Sequence, residues 1–230
     1  MSTVRTQLAA LQFDLPDGTV AEVAVTTLLN GGYAGRSQDD VAAHVRELAE
    51  LGVPAPSVTP SLYPVSPYLA QQTSTVPAQH GKTSGEAEWA LVVTSDDVLL
   101  TVACDHTDRA LEVHGVAWSK NAGPDVLGRR AWRLSEVAER IDSIELTAWA
   151  DGAEIQRGTL AELLTPQYWV ERLKALDLLR PGTVLLSGTI PMRHGVDQFA
   201  SRWRVELRDP ATGDVLDCEY EVTRLPDPIG

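Results

Sequence analysis

Two glutamates, Glu86 and Glu88, are the residues of this sequence best suited to bind a metal ion. They stand two positions apart in the apolar run SGEAEWALVV, which predicts a strand. Residues two apart on a strand point to the same face, about 6.6 to 6.8 Å from each other. The same face continues with Ala90 and Val92, which indicates that the strand runs into the interior. Such a pair is often only a solvated surface, but near a core the two carboxylates would repel each other unless a cation lay between them.

A third carboxylate, Asp105, joins this pair if the next turn has the right length. The run VLLTVACD predicts a second, antiparallel strand after Ser95-Asp96-Asp97. With a two-residue turn, either Ser95-Asp96 or Asp96-Asp97, Asp105 faces one of the two glutamates. A three-residue turn would instead place Asp105 opposite the alanine between them and break the cluster. Because all the ligands would be oxygens, the cluster suits Mg²⁺ or Mn²⁺ better than Zn²⁺.

His44 is a candidate general base. The predicted helix 38 to 51 places it in the middle of an apolar stripe formed by Val41, Leu48 and Leu51, so we expect it to face inward. Glu47, three residues further on, can reach the imidazole, fix its tautomer and strengthen it as a base. The alternative is a core histidine with a satisfied hydrogen bond.

Lys120 and Arg109 are the cations expected near the same site. Lysine is scarce in this sequence, and the other two, Lys82 and Lys174, have surroundings typical of an exposed surface. In a site, Lys120 would hold a substrate carboxylate or a developing enolate; the alternative is an exposed loop lysine. Arg109 and Asp105 lie around the start of a predicted helix, where anion binding is favourable. The remaining histidines show no metal-ligand spacing.

The elements that must position these residues mix strands and helices without an internal repeat, which favours one α+β unit. Six of the fourteen prolines fall between residues 54 and 77, which excludes a central strand or a continuous helix there. The predicted elements are a hairpin (8 to 15 and 20 to 29), helices near 38 to 51, 107 to 118, 159 to 164 and 166 to 179, and strands near 142 to 150, 183 to 188, 202 to 208 and 215 to 223, besides the two acidic strands.

Composition limits the function classes. The 230 residues carry 19 basic and 32 acidic side chains, a formal charge of −13, so a nucleic-acid or anionic-membrane surface is not expected. The partner we expect is a small molecule. Cys104 and Cys218 lie in apolar runs and are predicted to be reduced core residues. No apolar run reaches the length of a membrane span and no signal peptide is apparent, so we predict a cytoplasmic protein.

The order of these features resembles the fumarylacetoacetate hydrolase superfamily over about residues 30 to 208. The matching stretches are NGGYAGRSQDDVAAHVRELAELGVPAP, SGEAEWALVV, CDHTDRALE, WSKNAG, PGTVLLSGTI and RVELRD. They resemble in turn the family's lid helix with its His-x-x-Glu dyad, its Glu-x-Glu metal strand, its Asp-x-x-x-Arg element, its site lysine, its Gly-Thr segment and a strand that carries a histidine-orienting glutamate. No single stretch is specific, but their order is.

The resemblance implies a role for each matching residue. It assigns metal ligation to Glu86, Glu88 and Asp105, and a catalytic role to His44, Glu47, Lys120 and Glu206, with Glu206 as a second candidate for orienting His44. It assigns substrate contacts to Tyr33, Arg109, Glu112 and Thr189.

Two positions depart from the family pattern. Tyr63-Pro64-Val65 replaces a lysine-proline, and Glu112 replaces a glutamine. These differences point to an uncharacterised branch of the superfamily rather than to a fumarylacetoacetase proper.

The resemblance also implies an architecture and an activity. We expect a mixed β-sandwich roll with a short N-terminal lid helix, divided into residues 1–60 (hairpin and lid helix) and 61–230 (catalytic β-roll), and forming a homodimer. The expected activity is Mg²⁺- or Mn²⁺-dependent hydrolysis of a carbon–carbon bond in a 2-oxo acid or 1,3-dicarbonyl. Decarboxylation, isomerisation, hydration and a non-catalytic binding protein that has lost turnover remain alternatives.

Overall fold

A computed structural model of the chain describes residues 10–50 and 52–229, without the side chains of Gln38, His44 and Leu48. Its strands are β1 (Ala10–Asp14), β2 (Val20–Ala24), β3 (Thr27–Gly32), β4 (Ser61–Val65), β5 (Ala70–Gln71), β6 (Thr75–Ala78), β7 (Thr83–Val93), β8 (Val98–Asp108), β9 (Asp125–Arg133), β10 (Glu145–Ala150), β11 (Ala153–Thr159), β12 (Thr183–Leu186), β13 (Arg202–Arg208) and β14 (Val215–Arg224). Its α-helices are α1 (Gln38–Glu50), α2 (Val116–Lys120), α3 (Leu134–Val137) and α4 (Pro166–Ala175), with 3-10 turns at Pro67–Leu69, Glu112–His114, Ala138–Ser143 and Leu160–Glu162.

The described strands form two sheets. The larger has nine strands in the order β2-β1-β9-β8-β7-β12-β3-β4, with β5 added beside β9, and the smaller has the order β11-β10-β13-β14-β6. Strands from the first 60 residues pair directly with later ones, since β1 lies beside β9 and β3 beside β12. We therefore treat the chain as one structural unit. The α+β class and the mixed roll predicted from the sequence are confirmed.

The larger sheet has an apolar layer on each of its faces. On β7, Trp89 and Leu91 belong to the cluster that packs against the smaller sheet, whereas Ala90 and Val92 belong to a second cluster inside the curl of the larger sheet. Strand alternation puts Glu86 and Glu88 on the same side as Ala90. The acidic pair therefore lies at one end of the interior of the roll.

Several predicted elements are confirmed. β1 and β2 form the hairpin. The strand predicted for 20 to 29 divides after Ala24, because the segment from Thr27 onward forms β3 and pairs with β12. The amide of Asp40 donates to the Ser37 hydroxyl at the start of α1, and Gly52 ends the helix with φ +83°. Leu51 and the predicted inward direction of His44 lie outside the described residues.

One prediction about the middle of the chain is wrong, one strand there was not predicted, and two later helices are shorter than predicted. Residues 107 to 118 do not form one helix, because β8 stays paired with β7 as far as Asp108, and only the short turn Glu112–His114 and α2 follow. Arg109 therefore lies in a turn after a strand and not at a helix N-terminus. The sequence also gave no sign of β9, whose pattern is interrupted by Gly128 at a register shift against β8. The helices predicted for 159 to 164 and 166 to 179 are shorter, at Leu160–Glu162 and Pro166–Ala175.

Two smaller expectations concern cysteine and membranes. Both Cys104 and Cys218 are free thiols in the core, as predicted. Among the described residues, no helix has both the length and the apolarity needed to cross a membrane.

Candidate metal and substrate site

The register of β7 and β8 brings the three predicted acids together. Glu86 pairs directly with Asp105, and the amide of Thr94 donates to the carbonyl of Asp97, which closes a two-residue turn of Ser95 and Asp96. One carboxylate oxygen from each of Glu86, Glu88 and Asp105 lies within 4.8 Å of the others. The two-residue turn that the sequence offered as one possibility is therefore the one that forms.

The cluster has the chemistry of a divalent-cation site. Glu88 and Asp105 are completely buried, yet Oε1 of Glu88 and Oδ1 of Asp105 accept no hydrogen bond from the described residues. Burial, together with Glu86 and Asp105, raises the pKa of Glu88 well above its usual range. Buried carboxylate oxygens without donors are costly, and a hard cation that prefers oxygen ligands would satisfy them. The residues present fit Mg²⁺ or Mn²⁺.

The loop after β12 positions Glu88. The Gly188 amide donates to Oε2 of Glu88 at 2.7 Å. Gly188 has φ +86°, and a Cβ there would meet the Cβ of Ala34 at 3.1 Å, so a larger residue would be strained. Thr189, the predicted substrate contact, donates its hydroxyl to the Ala87 carbonyl at 2.8 Å. The loop therefore holds the backbone and one ligand of the metal strand.

Lys120 is part of the site and not an exposed lysine. It is buried at the end of α2, and its Nζ donates to Oε2 of Glu86 at 3.0 Å and to Oδ2 of Asp105. Burial alone would lower the pKa of Lys120, but Asp105, Glu86 and Glu88 together raise it well above its usual range. Lys120 is therefore a permanent cation among the acids.

Arg109 is held by two carboxylates. Its guanidinium donates to Oε1 of Glu86 at 2.9 Å and to Oε1 of Glu112 at 2.6 Å. Burial opposes ionisation of Glu86, but Lys120 and Arg109 lower its pKa to about 2. Glu86 therefore stays charged between two cations, while the deeper Glu88 does not have the same compensation.

Two buried polar residues beside the acid cluster were not predicted from the sequence. Asn30 on β3 and Asp125 on β9 are completely buried, and Nδ2 of Asn30 donates to Asp105 and to Asp125, at 3.1 Å each. Asp125 pairs with Asp105 across β9 and β8. Detecting Asp125 required β9, which had no clear pattern. Asn30 opens the stretch that resembles the family's Asn-Tyr element, but no role was assigned to its side chain.

The remaining predicted residues lie in different places. Tyr33 has φ +55°, and burial, followed by the neighbouring Tyr63 and Glu112, raises its pKa to about 12. Glu47 lies on an exposed part of α1, and the side chain of its predicted partner His44 is outside the described residues.

Glu206 does not reach the acid cluster. It forms ion pairs with Arg204 and Arg208 of its own strand, on the face of β13 opposite to Trp203 and Leu207, which belong to the core between the sheets. Both β13 and β7 therefore separate it from the acids. The side chain of His44 lies outside the described residues, so the role of Glu206 in orienting it stays a prediction, which the distance of Glu206 from the acids does not favour.

Comparison with solved structures supports the same fold. A fumarylpyruvate hydrolase from Pseudomonas aeruginosa in complex with Mn²⁺ and pyruvate has a TM-score of 0.66 and 17% identity, over 97% of this chain and 100% of that one. A protein from Yersinia pestis CO92 described as belonging to the fumarylacetoacetate hydrolase family has a TM-score of 0.63 and 16% identity, over 92% and 100% of the two chains. A 2-keto-3-deoxy-D-arabinonate dehydratase complexed with magnesium and 2,5-dioxopentanoate has a TM-score of 0.60 and 15% identity, over 90% and 77%.

Comparison at the level of sequence gives one family. A search of curated proteins finds no match. The model of a family described as protein of unknown function (DUF2848) matches residues 31–220. The chain therefore belongs to the DUF2848 family and has the fold of the fumarylacetoacetate hydrolase superfamily.

Proposed function

We propose that the chain is a divalent-metal-dependent enzyme that hydrolyses a carbon–carbon bond in a 2-oxo acid or 1,3-dicarbonyl substrate. The convergence of Glu86, Glu88 and Asp105, with buried oxygens that lack donors, carries this proposal. Two of the structural relatives were crystallised with Mn²⁺ and pyruvate and with magnesium and 2,5-dioxopentanoate. These ligands are keto compounds, which supports the proposed substrate class.

The three acids would hold Mg²⁺ or Mn²⁺. When bound, the ion would supply a Lewis acid that polarises the carbonyl groups of a chelating substrate. The contribution of the protein is a fixed set of charges around that position, which needs no rearrangement as charge develops. Lys120, already buried beside Glu86 and Asp105, would donate to a developing enolate oxygen.

The proposed base is His44, which would accept a proton from the attacking water. Glu47 follows three residues later in the sequence, a helical spacing that would let its carboxylate fix the imidazole tautomer. Tyr33 follows β3, and Thr189 follows β12, which lies between β7 and β3 in the sheet. Both side chains would contact the substrate. We also retain two proposals from the sequence, that the protein forms a homodimer and that it is cytoplasmic.

Two alternatives keep the same site. A dehydratase among the structural relatives favours testing hydration, isomerisation and decarboxylation on this scaffold. The ion pair of Arg109 with Glu112 favours a second alternative, a protein that binds a small molecule without turnover, because it removes a cation that could contact the substrate.

The metal site and the reaction can be tested separately. Mn²⁺ or Mg²⁺ is expected to raise the melting temperature of the wild-type protein but not of Glu88→Gln, with Glu171→Gln on the exposed side of α4 as the control. An equal rise in Glu88→Gln would place the metal elsewhere. The loaded wild-type protein is then incubated with acylpyruvates, oxaloacetate and related diketones. Cleavage products support the hydrolase, whereas binding of these compounds without turnover supports the non-catalytic alternative.

A further inference from the structure

The exposure of the charged groups shows from which side a ligand can approach the acid cluster. Glu88, Asp105 and Asp125 are fully buried. The side chains of Glu86, Arg109 and Glu112 remain 12%, 19% and 17% exposed. We call Glu86, Arg109, Glu112 and Lys120 the mouth residues. A ligand that chelates an ion held by the acids would extend past them toward solvent.

Each cation of the mouth already forms ion pairs with two carboxylates, although Nε of Arg109 is buried and has no hydrogen-bond partner among the described residues. Two of the three nitrogens of the Arg109 guanidinium donate to Glu86 and Glu112, and Nζ of Lys120 donates to Glu86 and Asp105. A second carboxylate at the far end of a ligand would lie near cations whose charges Glu86, Asp105 and Glu112 already offset, and it would lie beside the carboxylate of Glu112. Like charges placed next to each other without compensation disfavour binding.

Glu112 can instead accept hydrogen bonds. An ionised carboxylate offers about four acceptor positions, and its Oε1 already accepts from Arg109. The group of a ligand that best matches this neighbour is a hydrogen-bond donor with no negative charge, such as a hydroxyl, an amide or an ammonium group.

We propose that Glu112 is a specificity residue that excludes substrates with a distal carboxylate and selects monoanionic 2-oxo acids or 1,3-dicarbonyls with a distal hydrogen-bond donor. This inference rests on the proposed function, because it takes the acid cluster as the position of the chelating end. The chelating end would be held as proposed above, and the distal end would lie against Glu112.

The test uses two ligands of equal length, 2-oxoglutarate and its amide 2-oxoglutaramate. Their dissociation constants for the Mn²⁺-loaded wild-type protein are measured by calorimetry. The amide is expected to bind at least about tenfold more tightly. Equal binding, or tighter binding of 2-oxoglutarate, would overturn the inference without any variant.

The variants test the residue itself. In Glu112→Gln, which removes the negative charge but keeps an oxygen that can accept from Arg109, the preference for the amide is expected to fall at least about tenfold, whereas Glu171→Gln keeps it. A preference unchanged in Glu112→Gln would also overturn the assignment.

Oxalate, which has no distal group, separates failure of the proposed function from failure of the role of Glu112. If oxalate fails to bind the loaded protein, the proposed function fails together with the inference. If oxalate binds but the two longer ligands do not differ, only the role of Glu112 fails.

Discussion

Nδ2 of Asn30 lies 3.1 Å from Oδ2 of Asp105, although two other strands separate β3 from β8 in the sheet order. The same amide donates to Asp125 at 3.1 Å. The contact therefore joins the two sides of the curled sheet directly at the candidate metal site. It gives the buried acids a donor from a strand that carries none of the proposed ligands.

Asn30→Ala is expected to destabilise the protein by about 1 to 3 kcal/mol, because it leaves the buried Oδ1 of Asp125 without its donor and removes one of the two donors to Oδ2 of Asp105. It is also expected to weaken Mn²⁺ binding, since Asp105 loses a group that fixes its orientation. Urea unfolding with and without Mn²⁺ measures both effects. Gln167→Ala, at an exposed position of α4, is the control. If both variants unfold at the same urea concentration as the wild type, the Asn30 bridge is not structural.

Much of the site could be predicted because strand geometry is local. The alternation in SGEAEWALVV placed Glu86 and Glu88 on one face, and the short turn left Asp105 opposite Glu86, Ala87 or Glu88, of which the first forms. Lys120 was found from its rarity and from the family pattern. These residues depend on neighbours in sequence or on a hairpin, and such contacts are well specified by sequence.

The parts that were missed depend on contacts between distant segments. Asp125 became a neighbour of Asp105 only through β9, whose interrupted pattern gave no strand signal. The pairing of β8 with β7 extended the strand over residues whose local pattern favoured a helix. Glu206 fitted a family motif, but which face of β13 it occupies was decided by the core residues Trp203 and Leu207.

Lys120→Met is expected to alter two quantities: the melting temperature of the metal-free protein and the rise in melting temperature that Mn²⁺ produces. The buried Lys120 contacts Glu86 and Asp105, and breaking a buried ion pair typically costs about 3 to 5 kcal/mol. The metal-free variant is therefore expected to melt at a lower temperature, and the rise produced by Mn²⁺ to be larger than in the wild type, because no resident cation then competes with it. Lys174→Met, on an exposed part of α4, should behave as the wild type. A smaller Mn²⁺ effect in Lys120→Met would mean that Lys120 helps to hold the ion.

His44→Ala is expected to lower turnover by a factor on the order of 10² while leaving the Mn²⁺-dependent rise in melting temperature unchanged. The physical reason is the loss of a proton acceptor without any change in the acid cluster. Glu206→Gln provides the contrasting variant, because its carboxylate pairs with Arg204 and Arg208 on the opposite side of the smaller sheet. Turnover of both variants is measured from steady-state rates with a diketone that the wild-type protein cleaves. Unchanged turnover in His44→Ala would remove it from the mechanism, and loss of turnover in Glu206→Gln would restore the role that the family pattern assigned.

Cys218 is expected to resist alkylation in the folded protein. Burial, with a further contribution from Asp217, raises the pKa of its thiol to about 12, and the thiolate is the reactive form. Because the folded pKa lies above the unfolded value of about 8.5, folding disfavours ionisation, so the contribution of this thiol to stability is complete below about pH 8.5 and is lost as the pH rises toward 12. Iodoacetamide labelling followed by mass spectrometry should therefore modify Cys218 slowly at pH 8 and rapidly in urea. Cys218→Ala should weaken the loss of stability between pH 9 and about 11 relative to the wild type, and rapid labelling of the folded protein at pH 8 would contradict its buried position.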